Sequence, residues 1–304
     1  MNIQRTTIAS FAAMILAAGA VVVTACSSSD NGTGNNNTNT PTPDGGQSDG
    51  SHLPDASPQR DGSQSGQDGT GTSVGSITIS STRTSVSTTH ADMNGIAAFF
   101  YSPPQTGGGF AGNMPTGCTT IESVDAGTGT DGGTPSTPIS AGDIDVTVGS
   151  HTATLTWDDA ATMYKPLFSN MAAIWIDKGE DITVDAQGAT VPAFSASFKA
   201  PHMPSFTSDL TTMKAGTNFE LKWDNGAAPE QIQIMLTASG KKAAMCIFDS
   251  SKGSGTIPGS TLTDLGAGTF NFTSMSTTAT QASAGAGKVN VMAMAMFSSF
   301  ATIQ

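Results

Sequence analysis

The sequence predicts an all-β protein built from two β-sandwich units. Three observations predict it. Apolar residues alternate with Thr, Ser and Asp in short runs, the period of a strand with one buried face. Clusters of Gly, Pro, Asn and Ser separate those runs at turn-like intervals. After the N-terminal leader, no stretch of useful length carries a helical period, which leaves sheet packed on sheet as the natural layering.

The chain opens with a segment of another kind. Residues 1–5 carry one positive charge at Arg5, and residues 6–23 form an apolar run without an ionised side chain. This is the pattern of an export signal, predicted over residues 1–25. Val23, Thr24 and Ala25 then lead to Cys26. Small residues just before a cysteine at the end of such a run resemble the lipobox of bacterial lipoproteins. The resemblance implies cleavage before Cys26 and attachment of fatty-acyl chains such as palmitate to it. It therefore implies an exported protein held to a membrane by lipid; ordinary secretory cleavage and an uncleaved span are the competing readings. Several acyl chains anchor stably where one holds weakly. Ser27, rather than Asp, follows the cysteine, which by the same resemblance implies sorting to the outer membrane in a Gram-negative cell.

Residues 26–75 follow as a disordered linker. They are almost entirely Ser, Asn, Thr, Gly, Pro, Asp and Gln, with Leu53, Ala56 and Val74 the only aliphatic side chains. Too little apolar surface is present to offset the entropy of ordering. A flexible coil of this length has a mean end-to-end distance of about 40 Å. Within it, Gly46, Gln47, Ser48, Asp49 and Gly50 match a hydrolase G-x-S-x-G pattern letter for letter. That motif requires a strand before the serine and a helix after it, and neither is predicted here.

The first β unit is predicted over residues 76–200. Ile77 and Ile79 alternate with Thr and Ser; Ile144, Val146 and Val148 alternate with Asp and Thr; Ala153, Leu155 and Trp157 repeat the pattern. Ile182 with Val184, and then Phe194 to Phe198, supply two more strands. Between Tyr101 and Ile139 the Gly- and Pro-rich composition predicts a long mobile surface loop.

Pro201 and Pro204 interrupt the pattern and suggest a boundary, so the second unit is predicted over residues 201–304. Phe219, Leu221 and Trp223 alternate with Glu220, Lys222 and Asp224, giving an apolar and a charged face. A turn over residues 225–229 leads to Ile232, Ile234 and Leu236. Then come residues 243–248, Phe270 with Phe272, and the run Val289 to Phe297. About six strands in a hundred residues is the content of an immunoglobulin-like sandwich. The strand ending in Trp223, its Pro-containing turn and the next alternating strand resemble the second and third strands of fibronectin type III domains. That family's usual tyrosine on the third strand is absent. The resemblance spans some thirty residues and implies a sandwich, not a function.

Charge narrows the range of partners. Loss of Arg5 with the signal leaves 11 basic against 24 acidic residues, and the part after the linker has 10 against 18. Such a surface is suited to solubility and opposes nucleic-acid binding, which needs a basic face. The membrane is then reached through lipid, with an unidentified protein or glycan as the further partner. Besides Cys26, only Cys118 and Cys246 remain. An oxidising compartment would pair them if the fold brings them together; otherwise Cys246 serves as a small buried hydrophobe.

No catalytic motif appears, so a non-enzymatic module without a cofactor is the expectation. His52, His90, His151 and His202 are dispersed and form no zinc pattern. Asp177, Glu180, Asp181 and Asp185 could present oxygen ligands to Ca²⁺, against the reading of a solvated turn interrupted by Lys178. Met292, Met294 and Met296 alternate with Ala and place three thioethers on one strand face, a Cu(I) candidate. The competing reading is a terminal strand buried on both faces with methionine filling gaps. A dispersed sugar-binding or enzymatic site could draw on Trp157, Trp175 and Asp158. Core packing is the expectation for Trp157 and Trp223.

Overall fold

The computed structural model describes residues 72–86, 89–105, 116–121, 136–169, 174–224 and 231–304. The signal, Cys26, His52, the linker before residue 72 and the pattern at Gly46 to Gly50 lie outside them. The fold is all-β and sandwich-like. Its strands in chain order are β1 (Ser73–Val86), β2 (Thr89–Gln105), β3 (Gly117–Ile121), β4 (Thr137–Pro138), β5 (Ile144–Val148) and β6 (His151–Leu155). After them come β7 (Trp157–Asp158), β8 (Met163–Tyr164), β9 (Leu167–Ser169), β10 (Asp181–Ala186), β11 (Phe194–Lys199) and β12 (Phe219–Lys222). The last are β13 (Gln231–Thr237), β14 (Ala243–Asp249), β15 (Ser254–Ile257), β16 (Gly268–Ala284) and β17 (Gly287–Ile303), with a short helix α1 (Gly259–Leu265) before β16.

A nine-stranded sheet in the order β3-β14-β13-β16-β17-β1-β2-β4, with β9 also on β2, runs the length of this region. Its spine is the hairpin of β16 and β17, 17 residues each. Gly285 closes that hairpin at φ 63°, a backbone region that glycine enters without a steric penalty and that two-residue hairpin turns require. The pairing of β1 with β17 is parallel. A four-stranded sheet, β11-β10-β5-β6, supplies the second layer over one half, and the β12-β15 pair with α1 supplies it over the other.

Each half has its own core. In the first, Ile77, Ile79, Ile96, Val289 and Val291 meet Ile144, Val146, Val148, Ile182 and Val184. In the second, Ile232, Ile234, Leu236, Phe270 and Phe272 meet Leu221, Ile257, Leu262 and Leu265. Every one of these is at most 1% exposed except Leu265, at 4%. Burying such a side chain stabilises the fold by about 1.5–3 kcal/mol, which explains why the alternation is kept so strictly.

The two cores do not divide at residue 200. Val289, Val291, Ala293 and Ala295 from the end of the chain complete the first core, and Ala301 and Ile303 enter the second. The units 76–200 and 201–304 therefore share one sheet, because β17 pairs with β1 across the expected boundary. Phe297 packs against both cores.

Three other expectations change. The region from Tyr101 to Ile139, expected as a loop, contains β3, which pairs with β14, and β4, which pairs with β2. Strand β2 was not legible because Gly95, Ala97 and Ala98 blur its alternation; its inward residues Ile96, Ala98 and Phe100 are buried all the same. The helix α1 has seven residues, too few for a visible period, and buries Leu262 and Leu265 in the second core.

Candidate functional site

One set of buried polar side chains organises the segment that carries Asp177. Ser81 and Asn94, both within 2% of full burial on the inner side of β1 and β2, begin the arrangement. Ser81 Oγ donates to Asn94 Oδ1 at 2.6 Å; Asn94 Oδ1 also accepts from Trp175 N at 3.0 Å, and Ser81 Oγ accepts from Ile176 N at 3.0 Å. Leaving such donors unpaired would cost about 1–3 kcal/mol each, so this network pins the segment after Ile174 to the sheet. Asp177 is thereby brought beside Arg83, with Nη2 3.5 Å from Oδ1, and the Nε of the same arginine lies 3.9 Å from Asp92.

A shallow cleft of about 250 Å³ opens next to that pair. Arg83, Asp177, Lys178, His202, Asp224 and Ser250 are among the residues that line it. Ser205 N–H donates to Asp224 Oδ1 at 2.7 Å, and Met203 N–H donates to the Asp177 carbonyl at 3.0 Å, so the Pro201 to Pro204 segment forms a strap along the cleft. Trp223, 5% exposed, donates its indole N–H to the Ser250 carbonyl at 2.9 Å. Both signs of charge are present, a surface fitted to polar contacts.

The carboxylates considered for Ca²⁺ diverge. Glu180 accepts from the backbone N–H groups of Asp177 and Lys178, Asp177 faces Arg83, and Asp181 is 2.8 Å from Lys199 Nζ. Asp185 stands in register with Asp145 and Ser195 within its sheet. Among the described residues no group of three His, Cys, Asp or Glu side chains is placed to hold a metal.

The tryptophans considered for a sugar site pack against different partners. Trp175 is 7% exposed and stacks on His151 at 5.6 Å. Trp157 is half-buried and meets Tyr164 edge-on at 5.2 Å. Asp158 accepts from the N–H groups of Ala160 and Ala161 and pairs with Lys165 at 2.9 Å. The Lys165 contact, with the backbone bonds, holds its carboxyl below the ordinary value. Tyr164 is enclosed: its hydroxyl accepts from Ala141 N–H and donates to the Gly142 carbonyl, both at 2.7 Å, and burial pushes its pKa up.

Cys118 and Cys246 stand opposite each other on β3 and β14 and are joined by a disulfide. The bond ties the short edge strand to the second core, where Cys246 is buried. Met292, Met294 and Met296 lie on the face of β17 turned away from the cores. The inward residues Val291, Ala293 and Ala295 are fully buried, whereas Met292 and Met294 are half-exposed. The strand is thus not sealed equally on both faces. Register adds a methionine that spacing could not reveal: Met275 of β16 is the partner of Met296.

By architecture the chain is an all-β sandwich protein. No protein-family model matches it, and no curated protein matches it. Among solved structures it is similar to the crystal structure of the chicken CNTN1 FN1–FN3 domains, at 10% identity over 74% of this chain and 69% of that one. The TM-score of 0.19 is too low for that likeness to carry an argument.

Proposed function

We propose that this protein is an exported lipoprotein, anchored through Cys26 to the cell envelope, whose β module acts by binding or by structural support rather than by catalysis. The observation that carries the reading is the sequence from Val23 to Cys26 at the end of an apolar run, followed at once by a linker too polar to fold. An anchor, a spacer and a rigid sandwich together suit a surface that meets another envelope component, protein or glycan. The acidic balance opposes nucleic acid as that component. Sorting to the outer membrane is the expected destination in a Gram-negative cell.

Mass spectrometry of the protein recovered from membranes tests the reading. The expected N-terminus is Cys26 carrying acyl chains, and Cys26→Ser should release the protein from the membrane fraction. An unmodified Cys26, or cleavage elsewhere, would overturn the anchor. Turnover of a glycan, ester or peptide by the purified chain would overturn the non-enzymatic role.

A further inference from the structure

We propose that the outward face of the large sheet carries a soft-metal site for Cu(I), formed by the thioethers of Met275, Met294 and Met296. Met275 and Met296 are direct partners on adjacent antiparallel strands, and Met294 lies two residues from Met296 on the same face. Direct partners have Cβ atoms about 4.5–5.5 Å apart, and diagonal neighbours about 7–8 Å. An unbranched methionine side chain, with three rotatable bonds, spans such gaps, so the three sulfurs can turn onto one ion.

The surroundings select the ion. The neighbours in register are Ser80 and Thr82 on β1, Thr277 on β16 and Gln233 on β13, all uncharged. No carboxylate stands among these positions to attract a hard divalent cation, whereas neutral thioethers favour Cu(I). Thioethers do not bind protons in the ordinary pH range, so occupancy should not depend on pH. Met296 is only 8% exposed, which shields one ligand from water. On the same face, two strands from β16, Met245 Sδ accepts from Gln233 Nε2 at 2.7 Å.

Packing alone does not account for the distribution. Methionines that fill gaps lie elsewhere, with Met203 and Met213 at 4% and 0% exposure. By register, Met93, Met235, Met245, Met275, Met292, Met294 and Met296 all project to the outward face, while β1 uses Ser and Thr at the equivalent places. The inference is independent of the anchor at Cys26.

Anaerobic titration of the full chain carrying Cys26→Ser, with Cu(I) buffered by a chromogenic chelator, tests the site without a competing free thiol. The expected result is one Cu(I) per chain, unchanged between pH 6 and 8, with sulfur-only ligation by X-ray absorption. Replacing Met275, Met294 and Met296 together by leucine, which conserves volume, should weaken binding by at least roughly tenfold. The pair Met235→Leu and Met245→Leu should leave it unchanged. If the triple variant does not fold, Ag(I) added to protein labelled at the methionine methyls should shift Met275, Met294 and Met296 first. Failure to take Cu(I) from the chelator, unchanged affinity in the triple variant, loss that follows Met235 and Met245, or Ag(I) shifts at other methionines would overturn the proposal.

Discussion

The two faces of the large sheet are made by the same strands and have opposite characters. On β17 the inward series Val289, Val291, Ala293 and Ala295 is apolar and fully buried, while the outward series between them is the buried polar Asn290 followed by the half-exposed Met292 and Met294. On β16, Phe270 and Phe272 are sealed in the second core while Asn271 is exposed. The difference teaches that the apolar core and the outward face are separated by one residue along the chain. A slip of one position in register would exchange them wholesale.

The comparison can be broken most sharply at Phe272. Phe272→Ala should destabilise the fold by about 3–5 kcal/mol, while Thr277→Ala on the outward face of the same strand should change it by no more than about 0.5 kcal/mol. Urea denaturation of the two variants measures the contrast; equal losses would show that the outward face is also a core. A smaller effect is expected at Asn94, which joins β2 to the segment bearing Asp177. Asn94→Ala leaves the Trp175 N–H and the Ser81 hydroxyl without that acceptor and should cost about 1–3 kcal/mol. Hydrogen exchange at the Trp175 amide should accelerate more than exchange within β16.

The smallest effect belongs to solvated carboxyls in a turn and at strand ends. The carboxyls of Asp158, Asp209 and Asp249 are held below the ordinary carboxylate value, first by Lys165, by the Thr211 hydroxyl and by the Ser251 hydroxyl respectively. Groups with a depressed native pKa contribute stability that is present above their unfolded value and is lost as pH falls through the native one. Melting temperature should therefore fall on acidification through the range below about pH 4, and changing all three to Asn should flatten part of that fall. Because these carboxyls are solvated, the change is expected to be slight. A fall of the same size in the variant would assign the acid sensitivity to other groups.

Much of the inward face was legible in the sequence. The alternations at Ile144 to Val148, Phe219 to Trp223 and Ile232 to Leu236 each mark a strand with its buried side correctly placed. Strand β3 was hidden inside a Gly- and Pro-rich region because its few residues, Gly117 to Ile121, gain their place from pairing with β14 rather than from their own pattern. The polar cleft was illegible for a similar reason. Arg83, Asp177 and His202 are far apart in the chain and carry no shared motif; the buried Ser81 and Asn94 bring the Asp177 segment to Arg83.

By itself the sequence determined the all-β class, the buried member of each alternating pair and an acidic surface sparse in charge. These are local or additive properties: a strand's period is two residues, and net charge is a sum. Tertiary structure alone decided that β17 returns to lie parallel to β1, that the two cores share a sheet across residue 200, that Cys118 meets Cys246 and that Met275 stands opposite Met296. Each of those depends on which distant strand is chosen as partner and in what register. That choice is made by the summed burial of whole faces, a quantity that no single stretch of the chain contains.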